Sequence, residues 1–519
     1  MRLFNHLSNY LYNDSTASAT EPGDPSSESW DSLPDFITQA NDGFPPTGFT
    51  AAWPSEGASA SSQFSFTPAA PGSPLGSGSA SAMAGAEPMA AVVPQPSAPT
   101  PNLTISWAGA MEGNWNPPDS NIAAGTSDIM TVVNAEVDIY NKTGSNLYSQ
   151  SLDAFFGAGS NFLFDPRAMW DQFTGRFIVT ADDQTGTNSN VHIAVSKDSN
   201  PLDGWWNYSF NVKSGSDWLD YPILGLDATS LYLGGNYFAG TAANPGGYTG
   251  SPLIAVSMTT LDNGQSATAY SYDMASLGAP YDDLYTPAHM YGSESGFAGD
   301  FLVEYAQDNS GNDSLRVDEV SNAASGTASY GMQSLNVGNI SDAFPAGARQ
   351  PGTATTIDDG DNRTQSVVWR NDKLYATTEI RIGSGSSAHD VVHWFVVDTS
   401  NLNNLTLLSQ GNIDYGSNYD TYYGNMTVDA SGNMIIGYSF SGTTVDASSV
   451  YAVIPAGDTS LQDGGAYLSQ GQGDNTNGRW GDYSGIALDP ADNGSFWVFN
   501  QYATSSNTWA TTIGGYVVS

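Results

Sequence analysis

Three arginines are the side chains of this sequence best suited to hold an acidic ligand. Only 13 of its 519 residues are Lys or Arg, and Arg167, Arg363 and Arg479 each lie near the start of a similar apolar segment. A guanidinium binds a carboxylate through two parallel hydrogen bonds, so three guanidiniums around one axis would clamp an acidic sugar. The alternative is that each arginine pairs with the aspartate two or three residues away and ties neighbouring segments together.

Four more side chains near the segment starts are candidate ligand-binding residues: Asp119, Tyr221, His289 and Tyr483. Glycoside hydrolysis needs two carboxyl groups, or a Tyr nucleophile with a Glu and an Asp, close to the anomeric carbon. Glu304 and Glu379 lie in the repeated segments, but the chain has 27 Tyr and 53 Asp or Glu. Residue type alone therefore identifies no catalytic residue.

Carboxylates are concentrated in the loop DDGDN, in which Asp358, Asp359 and Asp361 surround a glycine. Calcium prefers oxygen ligands, so this loop is a candidate calcium site with a stabilising role, although its spacing differs from that of the EF-hand loop. His389 and His393 share one face of a predicted strand without a third ligand, which disfavours a zinc site. We expect no other cofactor.

Composition excludes several classes of function. The formal net charge is −40 and there is no basic stripe, so the chain should not bind nucleic acid. There is no cysteine for a disulfide, a thiolate metal site or a nucleophile. The sequence also contains no phosphate-binding glycine loop, no G-x-S-x-G nucleophile motif and no apolar run long enough to span a membrane.

Two aromatic stretches are candidates for stacking against sugar rings: GWWNYSF, residues 204–210, and SNYDTYYGN, residues 417–425. Both place aromatic rings beside amide, carboxylate or hydroxyl groups, a combination that suits the faces of carbohydrates. We expect half of these rings to lie in the core of the fold and the others to be exposed.

The candidate residues belong to a pattern that recurs seven times after residue 101. Each copy has a polar or Pro-flanked start, a short apolar strand, an Asp/Asn/Gly turn and a second strand with alternating aromatic residues. The 56 glycines and the charged fraction of only 13% favour short strands over long helices. The copies start at Asp119, Asp165, Asp220, Pro287, Arg363, Asn425 and Asp482.

The intervals between these starts run from 46 to 76 residues, enough for a four-stranded antiparallel sheet with loops of variable length. Seven such sheets placed radially form a seven-bladed β-propeller, the all-β fold that we predict for residues 101–519. A solenoid would need a more constant repeat length. Residues 1–100, rich in Ser, Ala, Pro and Gly, are predicted to be a disordered leader.

The same segments resemble a large family of bacterial secreted or surface β-propellers that is distantly similar to sialidase-like propellers and mostly uncharacterised. The resemblance covers most of residues 110–505. It implies a propeller fold and an exported protein but no particular activity, because propellers support many functions. The segments that carry it include NPPDSNIAAG from Asn116, FDPRAMWDQFTGRFIV from Phe164, WLDYPILGLD from Trp218 and RWGDYSGIALDP from Arg479.

We predict an extracellular or cell-surface propeller, monomeric, that binds a glycan or a surface protein. No conventional secretory signal is visible near Met1, so the route of export stays open. Two alternatives also stay open: a sialidase-like glycoside hydrolase that uses the three arginines as a carboxylate clamp, and a structural surface protein. The hydrolase needs at least two arginines and a carboxyl in one pocket, whereas the binding protein needs exposed aromatic rings at the mouth of the channel.

Overall fold

A computed structural model describes residues 62–66 and 102–517, apart from residues 113–115, 135, 160–161, 186–187, 215–216, 243, 275–283, 293–296, 309–310 and 459–464. The described residues form strands β1–β31, numbered in chain order, with few and short helices. The chain is therefore all-β, as predicted. Its helices in the described ranges all fall short of the length and apolar character that crossing a membrane requires.

Five separate four-stranded antiparallel sheets account for most of the strands. Sheet I contains β3 (Asn121–Ala124), β4 (Asp128–Val133), β5 (Glu136–Asn141) and β6 (Asn146–Ser151). Sheet II contains β7 (Leu163–Asp171), β8 (Arg176–Thr185), β9 (Asn188–Ser196) and β10 (Trp205–Ser214). Sheet III contains β16 (Thr286–Pro287), β18 (Gly299–Ala306), β19 (Asp313–Ser321) and β20 (Ser329–Gly338).

Sheets IV and V come from the end of the chain, and sheet V also takes one strand from its beginning. Sheet IV contains β25 (Tyr419–Val428), β26 (Met434–Gly442), β27 (Val445–Ile454) and β28 (Ala466–Ser469). Sheet V contains β29 (Gly485–Leu488), β30 (Ser495–Ser505), β31 (Thr508–Val517) and, outermost, β2 (Asn102–Met111).

The remaining strands form one sheet of eleven strands, the large sheet. Its first antiparallel run contains β11 (Asp217–Leu226), β12 (Ser230–Thr241), β14 (Pro252–Ser257) and β15 (Ala267–Asp273), with β13 (Asn244–Gly250) paired to β12. Its second run contains β21 (Thr364–Arg370), β22 (Lys373–Ile382), β23 (His389–Asp398) and β24 (Thr406–Ile413). The helices are α1 (Leu152–Phe156), α2 (Met258–Leu261) and two 3₁₀ turns, Ala323–Ser325 and Gly385–Ser387.

The prediction of seven separate blades is wrong, because the structure has five. The repeats that start at Asp220 and Arg363 lie together in the large sheet. They are joined by β17 (His289–Met290), which pairs in parallel with Leu226 of β11 on one side and with β21 on the other. A two-residue strand near the start of the fourth repeat thus joins the two neighbouring repeats in one sheet.

Hydrogen bonds between neighbouring inner strands run the whole way round the molecule. The last of them returns from sheet V to sheet I, so the sheets close into a ring around a central channel, which is the architecture of a β-propeller. In chain order the links are Ala168 N to Asn121 Oδ1, Tyr221 N to Asp165 Oδ2, Leu226 N to Ala288 O, Thr286 Oγ1 to Thr364 O, Met426 N to Ser366 Oγ, Asn425 Nδ2 to Ser484 O and Asp482 N to Asp119 Oδ1.

Sheet V pairs the last strand of the described chain, β31, with β2, the first strand after residue 101. Strand β2 runs antiparallel to β31, with Asn102 opposite Val517 and Trp107 opposite Ile513. The Trp107 ring lies 5.6 Å from that of Trp497 in the same sheet and 5.8 Å from that of Tyr140 in sheet I. A strand from the start of the chain therefore completes the last sheet.

The predicted disordered leader lies outside the described residues, with one exception. Ser62–Phe66 form β1, which pairs antiparallel with β15 at the outer edge of the large sheet. The sequence SQFSF alternates polar and aromatic residues, the pattern typical of a strand that has one buried face. The disorder of the leader stays a prediction.

The core fills the spaces between adjacent sheets. Between sheets I and II, Trp170 and Phe177 pack edge to face at 4.8 Å and are almost fully buried. Between the large sheet and sheet IV, Trp394 and Tyr438 are fully buried. Large aromatic rings on one sheet thus pack against the next, as the alternation in the repeats predicted.

Gly225 in β11 lies directly against Pro287 and Ala288, and replacing it should destabilise the fold. A Cβ atom there would lie 2.3 Å from Pro287 Cβ and 2.7 Å from Ala288 O. We expect Gly225→Ala to lower the free energy of unfolding by roughly 1–3 kcal/mol, the usual cost of overpacking. Gly494→Ala is the matched control, because a Cβ there meets nothing within 4 Å. Equal melting temperatures for the two variants would contradict this packing.

Candidate functional site

Residues at the starts of the sequence repeats gather at one end of the central channel, which we call the mouth. Its charged residues are Asp119, Asp165, Asp361, Arg363, Arg479 and Asp482. Bulges interrupt β7 near its first residues and interrupt β11 and β25 near their middle, in each case close to the start of a sequence repeat. Bulges and left-handed residues re-aim side chains, and each left-handed non-glycine residue costs about 1–3 kcal/mol, so the fold keeps strained backbone at the mouth. The non-glycine residues with positive φ at these starts are Asp119, Asp165, Tyr221 and Tyr423.

Two of the three predicted arginines form bidentate pairs with their sequence neighbours at the mouth. Arg363 Nε and Nη2 donate to Asp361 at 2.7 and 2.8 Å, and Arg479 Nη1 and Nη2 donate to Asp482 at 3.0 and 3.1 Å. The side chains of both pairs are 14–21% exposed. Solvent therefore reaches two neutralised guanidinium–carboxylate pairs.

The third arginine, Arg167, is 3% exposed and lies behind two tyrosine rings. Its guanidinium carbon is 3.3 Å from the ring centre of Tyr483 and 4.8 Å from that of Tyr221. Arg363 approaches the same Tyr221 ring at 4.3 Å. The structure thus brings these four predicted residues together, with Arg167 beneath the others.

The two tyrosines connect opposite parts of the ring. Tyr221 donates its hydroxyl hydrogen to Gln365 Oε1 at 2.8 Å, and Tyr483 donates to the carbonyl oxygen of Pro166 at 2.9 Å. Burial is the main cause that raises the pKa of both phenols. Both stay protonated at neutral pH and serve as hydrogen-bond donors across the channel.

Asp119, also predicted, belongs to a cluster of carboxyl groups at the mouth. One oxygen each of Asp119, Asp165 and Asp482 lie within 4.8 Å of one another. Burial, reinforced by the neighbouring carboxylates, raises the pKa of Asp119 well above its ordinary value and that of Asp165 to about 8. The same causes raise the pKa of Asp220 to about 7. The cluster therefore holds protons near neutral pH.

The oxygens of this cluster are close enough to hold a cation, but backbone and side-chain N–H groups of the protein already donate to several of them. Asp119 accepts from Asn134 Nδ2 at 2.5 Å and from Asp482 N at 2.8 Å, and Asp165 accepts from Tyr221 N at 3.0 Å. The bond from Asp482 N links sheet V to sheet I, and the bond from Tyr221 N links the large sheet to sheet II. The arrangement indicates a structural use of Asp119 and Asp165.

The candidate calcium loop does not gather its carboxylates in one place. Asp361 faces Arg363, Asp358 lies 3.7 Å from Arg479, and Asp359 is fully buried next to Asp390, accepting from Gly347 N. Because the three groups have three different surroundings, they do not form a common ligand set. The calcium assignment stays a prediction.

His289 does not lie at the mouth. It pairs with Leu226 and Val368, near the ends of β11 and β21, and its Nε2 is 2.8 Å from Gln172 Oε1. Burial lowers the pKa of His289 to about 4, so the imidazole is neutral at physiological pH. The position of His289 near a repeat start predicted the wrong location, because β17 pairs with the large sheet and not with the strands of sheet III.

The other candidates have partners in neighbouring strands or loops. Glu304 forms a buried ion pair with Arg316 at 2.6 Å, and Glu379 accepts from Tyr423 N at 3.2 Å. His389 lies 2.9 Å from Asp414, and His393 lies 2.5 Å from Asn412, so the two histidines have separate partners. Burial and the nearby carboxylates of Asp390 and Asp361 raise the pKa of Glu379 well above its ordinary value, so this group is the candidate that lies nearest to a charged residue of the mouth.

The two aromatic stretches are mainly core. In residues 204–210 and 417–425 the exposed fraction is at most 6% for Trp205, Tyr208, Phe210, Tyr422 and Tyr423. The expectation that half of these rings are exposed is therefore wrong, because the strands β10 and β25 face neighbouring sheets on both sides. The mouth also lacks exposed aromatic rings at Tyr221 and Tyr483, which are 2% and 1% exposed.

Sequence reasoning did not assign a site role to Asp165, Asp220 or Asp482. A signal was present, because four of the seven repeats begin with aspartate. A fourth carboxyl, Asp182 of β8, had no such signal and is fully buried with both oxygens unpartnered in the described part of the chain. Asp182 is opposite Phe164 in the pairing of β7 with β8, and this register places its carboxyl beside the residues of the mouth.

The closed ring of sheets around a central channel identifies the protein as a β-propeller, and the charged residues lie at one end of that channel. No family model and no curated protein sequence matches the chain. Among solved structures, a protein of unknown function from Dyadobacter fermentans DSM 18053 is similar over 81% of this chain and 100% of its own, with 10% identity and a TM-score of 0.40.

Sialidase-like propellers are also among the similar structures. Trypanosoma rangeli sialidase in complex with the inhibitor DANA matches 78% of this chain and 60% of its own at 10% identity, with a TM-score of 0.35. An endo-arabinase from Bacteroides thetaiotaomicron VPI-5482 matches 56% and 93% at 11% identity, with a TM-score of 0.29. The fold class rests on the sheet topology, not on these matches.

Proposed function

We propose that the protein binds a neutral glycan at the mouth of its channel. One observation carries this proposal: the pairs Arg363–Asp361 and Arg479–Asp482 are bidentate, partly exposed and at the same end of the channel. Each pair offers guanidinium N–H donors beside carboxylate acceptors. A sugar hydroxyl donates one hydrogen bond and accepts others, so vicinal hydroxyls match such a pair.

The balance of charge at the mouth disfavours an acidic sugar. The guanidinium groups of Arg363 and Arg479 already donate to Asp361 and Asp482, where a ligand carboxylate would otherwise bind. Arg167 is buried beneath Tyr483. A sialic or uronic acid would have to displace Asp361 or Asp482 and would meet the remaining carboxyls of the cluster. The three arginines therefore do not form the open clamp that the sialidase-like alternative requires.

A glycan array probed with the full chain tests this proposal. We expect binding to neutral glycans, and we expect Arg363→Gln and Arg479→Gln each to weaken it roughly 10- to 100-fold, the usual cost of losing a charged hydrogen bond. The matched control is Arg176→Gln. Arg176 also pairs with an aspartate, Asp262 at 3.5 Å, but at the first residue of β8, away from the mouth.

Two results would overturn the proposal: no binding to any neutral glycan by the folded protein, or equal binding by all three variants. Selective binding of acidic glycans that both mouth variants lose would instead support the clamp. The extracellular or surface location, the monomeric state and a surface-protein partner stay predictions.

A further inference from the structure

Below the mouth, the inner strands line a partly open cavity of about 80 Å³. It has room for a few water-sized particles and is far smaller than the roughly 300–1,000 Å³ of typical small-molecule sites. No Asp or Glu is among the described residues that line it. In a chain with a net charge of −40, this acid-free interior is unusual. Its polar lining includes Asn121, Arg167, Thr286, His289, Gln365 and Asn425.

Arg167 is the charged side chain of this lining. Its Nε donates to Pro222 O at 3.0 Å, whereas its Nη2 is buried and has no hydrogen-bond partner among the described residues. Unlike Arg363 and Arg479, it forms no ion pair with a described carboxylate. A buried guanidinium donor without a partner is costly, so the fold should supply an acceptor from outside the chain.

The groups around Arg167 do not cancel its charge. His289, also in the lining, is neutral because burial lowers its pKa to about 4. The nearby carboxyls of Asp165 and Asp182 are buried, which raises the pKa of Asp165 to about 8 and that of Asp182 well above its ordinary value. Asp165 therefore carries a proton for most of the time at pH 7, and burial also favours the protonated form of Asp182, so the guanidinium charge of Arg167 is not neutralised by a fixed carboxylate.

We propose that the cavity binds a small monovalent anion of halide size at Arg167. The anion accepts from Nη2 of Arg167 and from the amide NH₂ of Gln365, whose Oε1 is already occupied by the Tyr221 hydroxyl at 2.8 Å. Larger anions, such as sugar carboxylates, exceed the cavity. This site lies beneath the glycan pairs and goes beyond the proposed function, because Arg363 and Arg479 do not line it.

Thermal unfolding of the full chain at pH 7 tests the site, with sodium bromide or chloride compared against sodium gluconate at equal ionic strength. Binding to the native state alone raises the melting temperature by mass action. We expect both halides to raise it by several degrees in a saturable way. We expect Arg167→Met to abolish this difference and Arg176→Met, the matched control, to retain it, because Arg176 does not line the cavity.

A crystal of the unaltered protein soaked in sodium bromide provides a second measurement that does not depend on a variant folding. An anomalous bromide peak beside Arg167 supports the proposal. A cavity that holds only water, or a melting temperature that does not distinguish halide from gluconate, overturns it. Neither readout depends on whether a glycan binds, so the two proposals fail separately.

Discussion

The protein should unfold at a lower temperature at pH 8 than at pH 5. Burial raises the pKa of Asp165 from 3.8 to about 8 and that of Asp220 to about 7. Between the unfolded and folded pKa values the native state binds more protons, so stability is full below pH 4 and falls as the pH rises towards 8. Each carboxyl contributes about 1.4 kcal/mol per pH unit in this window. A fall in melting temperature of roughly 10 °C is expected.

A single variant separates this cluster from the general repulsion within a highly acidic protein. Asp165→Asn keeps an oxygen that accepts from Tyr221 N at 3.0 Å but has no proton to lose. We expect it to raise the melting temperature at pH 8 more than at pH 5. Asp203→Asn, at an exposed position, is the control for the loss of one charge. Parallel pH profiles for the two variants would contradict the role of the cluster.

Removing the closing strand should have the largest effect of any change considered. A chain that lacks residues 1–112 loses the whole β2–β31 ladder and the Trp107 ring between Trp497 and Tyr140. It also exposes β31 as an unpaired edge, which favours aggregation. We expect this chain to be unfolded or aggregated at 25 °C, as measured by circular dichroism and size-exclusion chromatography.

A chain that lacks residues 1–100 is the matched comparison. Of the strands in the described ranges it keeps β2 and loses β1, which extends an outer edge of the large sheet. We expect it to remain folded, with a melting temperature within a few degrees of that of the full chain. If the deletion to residue 112 melted at the same temperature, β2 would not close the ring.

Periodicity predicted the fold class better than the number of blades. The alternation of apolar and aromatic residues in each repeat is a local property, and the all-β architecture followed from it. The joining of two repeats depends on where Pro287 to Met290 lie in space. Such a two-residue strand has no period of its own, so the sequence contained no signal for the large sheet.

The site was predictable to the extent that its residues follow the repeat starts. Arg167, Arg363, Tyr221 and Tyr483 meet because the repeats start at the same end of the channel. Whether an arginine there faces solvent, a carboxylate or a cavity depends on bulges and left-handed residues, which sequence patterns do not specify. This is why one arginine is buried and two are paired, and why the open clamp is absent.

The pairing of β2 with β31 also has a consequence for biosynthesis. Thr104 and Gly515, which share a hydrogen bond in this ladder, are 411 residues apart. At the usual 5–20 residues per second, the ribosome needs roughly 20–80 s after making β2 before its partner emerges. During that time the nascent chain has a growing row of sheets with both ends open, and β2 must stay unpaired. We therefore expect the ring to close after translation ends. We also expect closure to depend on chaperones that keep the unpaired β2 from aggregating.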